Sequence, residues 1–229
     1  MRFFLIAVSA GVMAVLLSAC NRGKLETDKE QQSYAVGFTL GQQLSKVKDN
    51  VDPEIVALGI KDGIRSDGKL DTTVVSKRVG ELQQKQRENE LLAAALMLKK
   101  SQDYIATVAL KKGVRVLDAG LLIEEMKPGS GGGRTLNDDD EIILRYTAKQ
   151  IDGSIFDQRT DPKGFRLRYR DLLLPGLKKA IQKIPIGANW TVYLAPEQAF
   201  GAGSRPGVPS QSAVVYEIEL LSVVPNSKR

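Results

Sequence analysis

From Phe3 to Leu17 the chain is apolar almost without a break, with Arg2 before the run and the small residues Ser18 and Ala19 after it. A positive residue, a short apolar core and a small-residue exit form the anatomy of a secretory signal, and the run is too short to favour a permanent membrane span. The next stretch, Asn21 to Gln32, is polar and reads as a tether. Between Ser33 and Leu44 apolar residues recur at helical spacing, with Gly37 and Gly41 one turn apart, a pattern that permits close helix approach. Asp52-Pro53-Glu54 predicts an N-cap followed by proline in the first turn; Ile55, Leu58, Ile60 and Ile64 continue this second helix to a stop at Gly68. From Thr72 to about Leu110 there is no proline and a single glycine, Gly80, which predicts one long helix, about 55 Å at the usual rise per residue. Such a helix cannot bury itself in one small domain, and its segment Leu91 to Leu98 is apolar on nearly every side. Two readings stay open: a helical dimerisation module followed by a stalk, or a solvated spacer helix in a monomer.

At Gly113 the pattern changes to β-branched and aromatic residues, alternation of period two, and frequent glycine and proline. Strands are predicted at Leu121–Met126, Glu141–Gln150, Phe165–Tyr169, Trp190–Leu194 and Ala213–Val223. In the last, Val214, Tyr216, Ile218 and Leu220 share one face and Glu217 and Glu219 the other. Asn137 to Asp140 reads as a solvated turn, its three aspartates lacking the spacing of a calcium loop. One helix fits in this half: Pro175 and Gly176 open it, and Leu177, Ala180, Ile181 and Ile184 make an apolar stripe that must pack on the sheet. The expected fold is α+β, a curved antiparallel sheet with one short helix, preceded by an all-α N-terminal domain and a long stalk helix. The corresponding boundaries are a signal at 1–20, a tether at 21–32, a helical dimerisation domain with linker helix at 33–112, and the sheet domain at 113–229.

Composition narrows the chemistry. The formal net charge is +6, but acidic and basic residues are interspersed without a dense Lys/Arg cluster, which argues against nucleic acid as a partner. The sequence has no histidine, which excludes Ser-His-Asp catalysis and His-ligated metals. Its one cysteine is Cys20, which excludes internal disulfides and thiolate clusters. The function is therefore expected to need no cofactor and no metal, and to rest on shape, apolar surface, carboxylates, hydroxyls and backbone groups. That cysteine closes the segment Leu17-Ser18-Ala19-Cys20, which resembles the bacterial lipobox, in which the cysteine becomes the lipidated first residue. Asn21 after it favours the outer membrane, facing the periplasm, in the sorting pattern this resembles. A chance cysteine behind an ordinary cleaved signal is the plain alternative.

Further along, Arg145-Tyr146-Thr147, the hairpin signal Asp152-Gly153 and Ile155-Phe156-Asp157 resemble the signature of the FKBP family. The series continues in order through Leu174-Pro175-Gly176-Leu177, Pro185-Ile186-Gly187, Ala199-Phe200-Gly201, Pro206-Gly207-Val208-Pro209 and Glu219-Leu220-Leu221. The match covers about Val114 to Val224, and the lipobox, Ser33-Tyr34-Ala35-Val36-Gly37 and the long helix resemble the Mip and FkpA group of the family, V-shaped dimers joined by intertwined N-terminal helices. The resemblance implies peptidyl-prolyl cis-trans isomerase activity on unfolded or proline-containing extracytoplasmic polypeptides. It implies catalytic roles for Tyr146, Phe156, Asp157, Leu174, Phe200 and Tyr216, substrate contacts from Phe165, Leu173, Leu177 and Val208, and a substrate carbonyl at the Leu174 N–H.

The chain departs from the family pattern at several of these positions. Leu177 stands at the pocket floor where tryptophan is usual, and Trp190 is no evident substitute. Phe200 replaces a tyrosine, Val208-Pro209-Ser210 replaces Ile-Pro-Pro, Tyr216 replaces an apolar aromatic residue, and Arg205 sits where members vary. Read singly, Phe156, Phe165, Leu174 and Leu177 fit an ordinary core, and Tyr146 with Asp157 a buried hydrogen-bonded pair. Their joint order along the chain favours the pocket. Alternatives to an isomerase are a holdase chaperone on the same scaffold, motivated by the altered pocket and by Leu91–Leu98, and a matrix-binding surface factor.

Overall fold

The computed structural model describes residues 25–131 and 133–226, so the apolar N-terminal run and Cys20 lie outside the described residues. The chain divides into two compact units, Met1–Gln86 and Arg87–Arg229.

The first unit is helical. Helix α1 (Asp28–Leu44) begins inside the segment expected to be a tether, because Thr27 and Glu30 form a capping box. The Thr27 hydroxyl accepts from the Glu30 N–H at 3.2 Å and the Glu30 carboxylate accepts from the Thr27 N–H at 2.9 Å. Two orphan donors of the first turn are satisfied, so a polar sequence can still start a helix. A 3-10 turn, Ser45–Asn50, leads to α2 (Pro53–Arg65), where the Asp52 side chain caps Glu54 and Ile55 as predicted. The stop falls at Ser66, with φ of 57°, rather than at Gly68. The Ser66 N–H reaches the carbonyls of Asp62 and Gly63, which compensates for the steric cost of a left-handed side-chain residue. Helix α3 (Thr72–Ala109) follows and is shared by both units.

Helices α1 and α2 have almost nothing of their own to bury. Among the described residues of this unit Val47 is the one buried apolar side chain, whereas Tyr34, Phe38, Ile55 and Ile64 are exposed, Ile64 by 81%. A Cβ placed on Gly37 or Gly41 would meet nothing within 4 Å, so the close approach these glycines permit is not made within the chain.

The second unit holds seven strands: β1 (Val114–Asp118), β2 (Leu121–Lys127), β3 (Glu141–Gln150), β4 (Ile155–Arg159), β5 (Phe165–Arg168), β6 (Asn189–Leu194) and β7 (Val214–Val224). They form one antiparallel sheet in the order β1-β2-β6-β7-β3-β4, with β5 also pairing β3. Strands β1 and β4 were not predicted by period two, and Tyr169 leaves β5 for a 3-10 turn, Tyr169–Asp171. Helix α4 (Pro175–Ile181) buries Leu177, Ala180 and Ile181 in a core with Ile123, Val192, Tyr216 and Ile218; Ile184, beyond its end, is buried there too. Alternation along β7 delivers that face as predicted.

The opposite sheet face is covered in part by the last turns of α3. Val108 packs on Leu122, Tyr193 and Val215, with Tyr104 against Tyr193 at a ring separation of 6.4 Å. The fully buried Ser101 hydroxyl donates to the Gln211 carbonyl at 2.9 Å and accepts from the Ala213 N–H at 2.8 Å. Gly113, at φ of 91°, turns the chain from the helix into β1. The composition change at Gly113 thus falls inside the second unit, which begins at Arg87. Asp140, expected in a solvated turn, is buried. Its carboxylate accepts from the N–H groups of Asn137 and Asn226, at 2.8 and 3.0 Å, and these donors hold it below the usual carboxylate range. The turn is thereby tied to the end of β7.

Candidate active site

Leu144 and Tyr146 on β3 and Tyr216 and Ile218 on β7 point to the α4 side of the sheet, two residues apart in each strand. Phe156 and Asp157 from β4, Phe165 from β5, Leu173, Leu174 and Leu177 around the start of α4, and Phe200 in the loop after β6 close a cavity of about 650 Å³. Nine of the predicted site residues line it. Val208 does not; it is buried beneath as part of the core. Cys20 lies outside the described residues. Trp190 is a buried core residue away from the lining, with the Arg115 guanidinium 5.9 Å from its ring centre.

The aromatic wall is built from edge contacts. The Phe156 ring stands 6.1 Å from Tyr216 and 6.2 Å from Phe200, near-perpendicular to each, and Tyr146 lies 5.9 Å from Tyr216. The two Phe156 contacts set ring edges against ring faces, the arrangement the aromatic quadrupole favours, and the Tyr146–Tyr216 pair is tilted at 41°. Leu177, at 8% exposure, closes part of the lining with a smaller side chain than the expected tryptophan.

Polar groups are few. The Tyr146 hydroxyl donates to Asp157 at 2.7 Å, and Arg159 meets the other Asp157 oxygen at 3.3 Å. Burial, then the bond to Asp157, pushes the Tyr146 phenol up to about 12. Burial chiefly raises Tyr216 as well, helped by Tyr146 and Asp157 and opposed by Arg205. Both phenols therefore stay protonated at neutral pH. Leu174 is the residue before α4, in extended conformation, and its N–H makes no backbone hydrogen bond among the described residues. A donor at the edge of an apolar cavity is the arrangement needed to hold one carbonyl of an otherwise apolar ligand.

Reading the sequence did not assign Arg166, Asp171, Leu172, Ile181 or Pro206 to the lining, nor give Arg205 a role there. The Arg205-Pro206-Gly207-Val208 segment carried a usable signal, since Pro-Gly at its centre specifies a type II turn. The turn is formed: Arg205 N–H to Val208 O is 3.0 Å, Val208 N–H to Arg205 O is 2.9 Å, and Gly207 has φ of 78°.

Two family models match the chain. Residues 29–124 match the domain amino terminal to FKBP-type peptidyl-prolyl isomerase, and residues 132–221 match the FKBP-type peptidyl-prolyl cis-trans isomerase. An outer membrane protein MIP of Legionella longbeachae is 25% identical over 240 residues, covering 97% of each chain. The crystal structure of FkpA from Escherichia coli has the same fold, with a TM-score of 0.62 over 88% of this chain and 99% of that one at 24% identity. A peptidyl-prolyl cis-trans isomerase from Pseudomonas syringae pv. tomato is 32% identical, with a TM-score of 0.51 over 57% of this chain and 96% of its own.

Proposed function

The chain belongs to the FKBP-type peptidyl-prolyl cis-trans isomerase family, and from that premise we propose that the cavity between α4 and the sheet takes the proline ring of an extracytoplasmic polypeptide and lowers its rotation barrier. The observation that carries this reading is that nine of the residues the family resemblance assigns to the pocket line one largely apolar cavity. The barrier to be lowered, about 18–20 kcal/mol, arises from resonance that separates charge across the planar amide. Apolar walls stabilise the planar, charge-separated form less than water does, while the twisted amide, with charge separation lost, fits a dry pocket. In this reading the Leu174 N–H accepts no proton and forms no covalent bond; it donates to a substrate carbonyl and fixes the rotating bond. Tyr146 and Arg159 hold Asp157 at the wall, and Phe156, Phe200 and Tyr216 enclose the ring.

The test is cis-to-trans exchange of a short X–Pro peptide with the purified protein and its Phe156→Ala and Asp157→Ala variants. Acceleration by the parent, reduced at least about tenfold in both variants while they remain folded, is expected. A folded parent with no acceleration would remove the isomerase reading.

The proposed setting is outside the cytoplasm. The apolar run Phe3–Leu17 acts as a secretory signal and Cys20 carries the lipid anchor, facing the periplasm from the outer membrane. Lipid labelling in cells, lost in Cys20→Ser, is the expected result; equal labelling of both would refute the anchor.

The helical unit is proposed to pair with a second copy. Its apolar side chains are exposed in the single chain, and Leu40, Leu44, Val56 and Ile60 line an open groove of about 340 Å³ beside Gly37 and Gly41. Such a surface on short helices is not stable in water by itself.

A further inference from the structure

Four charged side chains line the cavity: Asp157, Arg166, Asp171 and Arg205. Asp157 pairs with Arg159 at 3.3 Å, Arg166 with Glu141 at 2.6 Å, and Asp171 with Arg168 at 3.2 Å. Arg205 alone of the four has no ion-pair partner among the described residues. Its place is nonetheless fixed. The type II turn that begins at Arg205 is closed by its two mutual backbone bonds and anchored by the buried Val208. At Gly207 even a methyl group would come within 3.3 Å of Phe156, so the turn is seated on the aromatic wall itself. The Arg205 guanidinium lies 4.7 Å from the centre of the Phe200 ring, a stacking distance. Phe200 has no hydroxyl to offer a ligand, and the cation above it supplies the polar group at this edge.

We propose that Arg205 is a specificity-determining residue of this isomerase, selecting polypeptides with an acidic side chain immediately flanking the proline. This rests on the reading of the cavity as the prolyl pocket. Because the other cavity charges are compensated by neighbours, a substrate carboxylate at the rim would meet an unopposed cation, and a substrate lysine would be repelled by it. The cation is held by a turn and a ring and loses little freedom on pairing, so the pair forms at lower entropic cost than between two free side chains. Arg205 also acts electrostatically on Tyr216 inside the cavity.

The experiment uses the whole protein and peptides of the forms Ala-Xaa-Pro-Phe and Ala-Leu-Pro-Xaa with Glu, Leu or Lys as the variable residue. Exchange rates and equilibrium binding are both measured by NMR, at low and high salt. The expected result is that Glu exceeds Leu by roughly twofold to fivefold, the factor an exposed ion pair supports, with Lys below Leu. High salt should flatten the series. Arg205→Gln should abolish the order of the three residues, read as rate and binding ratios to the Leu peptide so that a change in overall turnover does not enter, and Arg205→Lys should retain part of it. Turnover of the Leu peptides with no Glu-over-Lys preference, or a preference unchanged in Arg205→Gln, overturns this proposal and leaves the isomerase reading intact. Absence of turnover on every peptide would strike the isomerase reading instead; the binding series then decides the Arg205 proposal by the same criteria.

Discussion

Asp157 divides its two oxygens between the Tyr146 hydroxyl and Arg159, so each holds the other where the cavity wall needs it. Removing the hydroxyl in Tyr146→Phe should lower isomerase kcat/KM several-fold and destabilise the fold by about 1 kcal/mol, the usual net worth of one such bond. The pH dependence follows from the same group. The Tyr146 phenol is raised from 10 in the unfolded chain to about 12 in the fold. The stability linked to this shift is complete below about pH 10 and is lost as pH rises toward about 12. Tyr146→Phe should therefore lose part of its disadvantage in alkaline unfolding titrations. With no histidine in the sequence and this phenol out of range, activity should be flat between pH 6 and 9; a bell-shaped profile there would show that another titrating group takes part. The residue types that build this pocket were legible because their order along the chain is specific. What sequence did not supply was the role of Val208, whose burial beneath the wall depends on a turn closed by backbone bonds.

Strands with a buried face were legible, as was β5 with its single neighbour β3, and the two strands that end the sheet order were not. β7 and β3 pair on both sides and alternate over part of their length, from Tyr216 to Leu220 and from Glu141 to Leu144, whereas β1 and β4 end the order of the sheet and leave Val116 and Ile155 exposed. An edge strand is specified by backbone pairing to one neighbour, which leaves little period-two signal. The docking of α3 was hidden for a related reason. Its most apolar stretch stays exposed, Leu91 by 71% and Leu92 by 70%, while its attachment is made further along, by Val108 and Tyr104 on the sheet and by the two bonds of the Ser101 hydroxyl. A hydroxyl that closes two buried backbone groups carries no hydrophobic signature. Ser101→Ala would leave the Gln211 carbonyl and the Ala213 N–H without that partner, at a cost of about 1–3 kcal/mol. The Gln211 N–H in turn bonds the Gly201 carbonyl at 2.9 Å, next to Phe200. Denaturant unfolding should register the loss, and a moderate fall in kcat/KM should accompany it; an unchanged midpoint would show that the serine is not a fastening point.

At the scale of the molecule, the two units differ in how they could be stable. The sheet unit encloses a continuous core of its own, and the helical unit exposes the side chains from which a core would be made. Leu40→Glu together with Ile60→Glu places charges in the groove beside Gly37 and Gly41. In analytical ultracentrifugation this pair should convert a dimer to a monomer, with partial loss of helicity; a dimer of unchanged affinity would refute the proposed interface. The sequence showed that the long helix cannot bury itself, but it left open whether solvent or a second copy meets it, because exposure of one chain's apolar face is a property of the folded form. A practical consequence follows from the position of Trp190. It is the chain's one tryptophan, and it is buried in the core of the sheet unit. Its fluorescence is thus a reporter of that unit alone, whereas far-ultraviolet circular dichroism is weighted toward the helices. A sample whose helical unit comes apart first would lose ellipticity while its emission stays blue, so the two melting events separate in one heating scan without any added label.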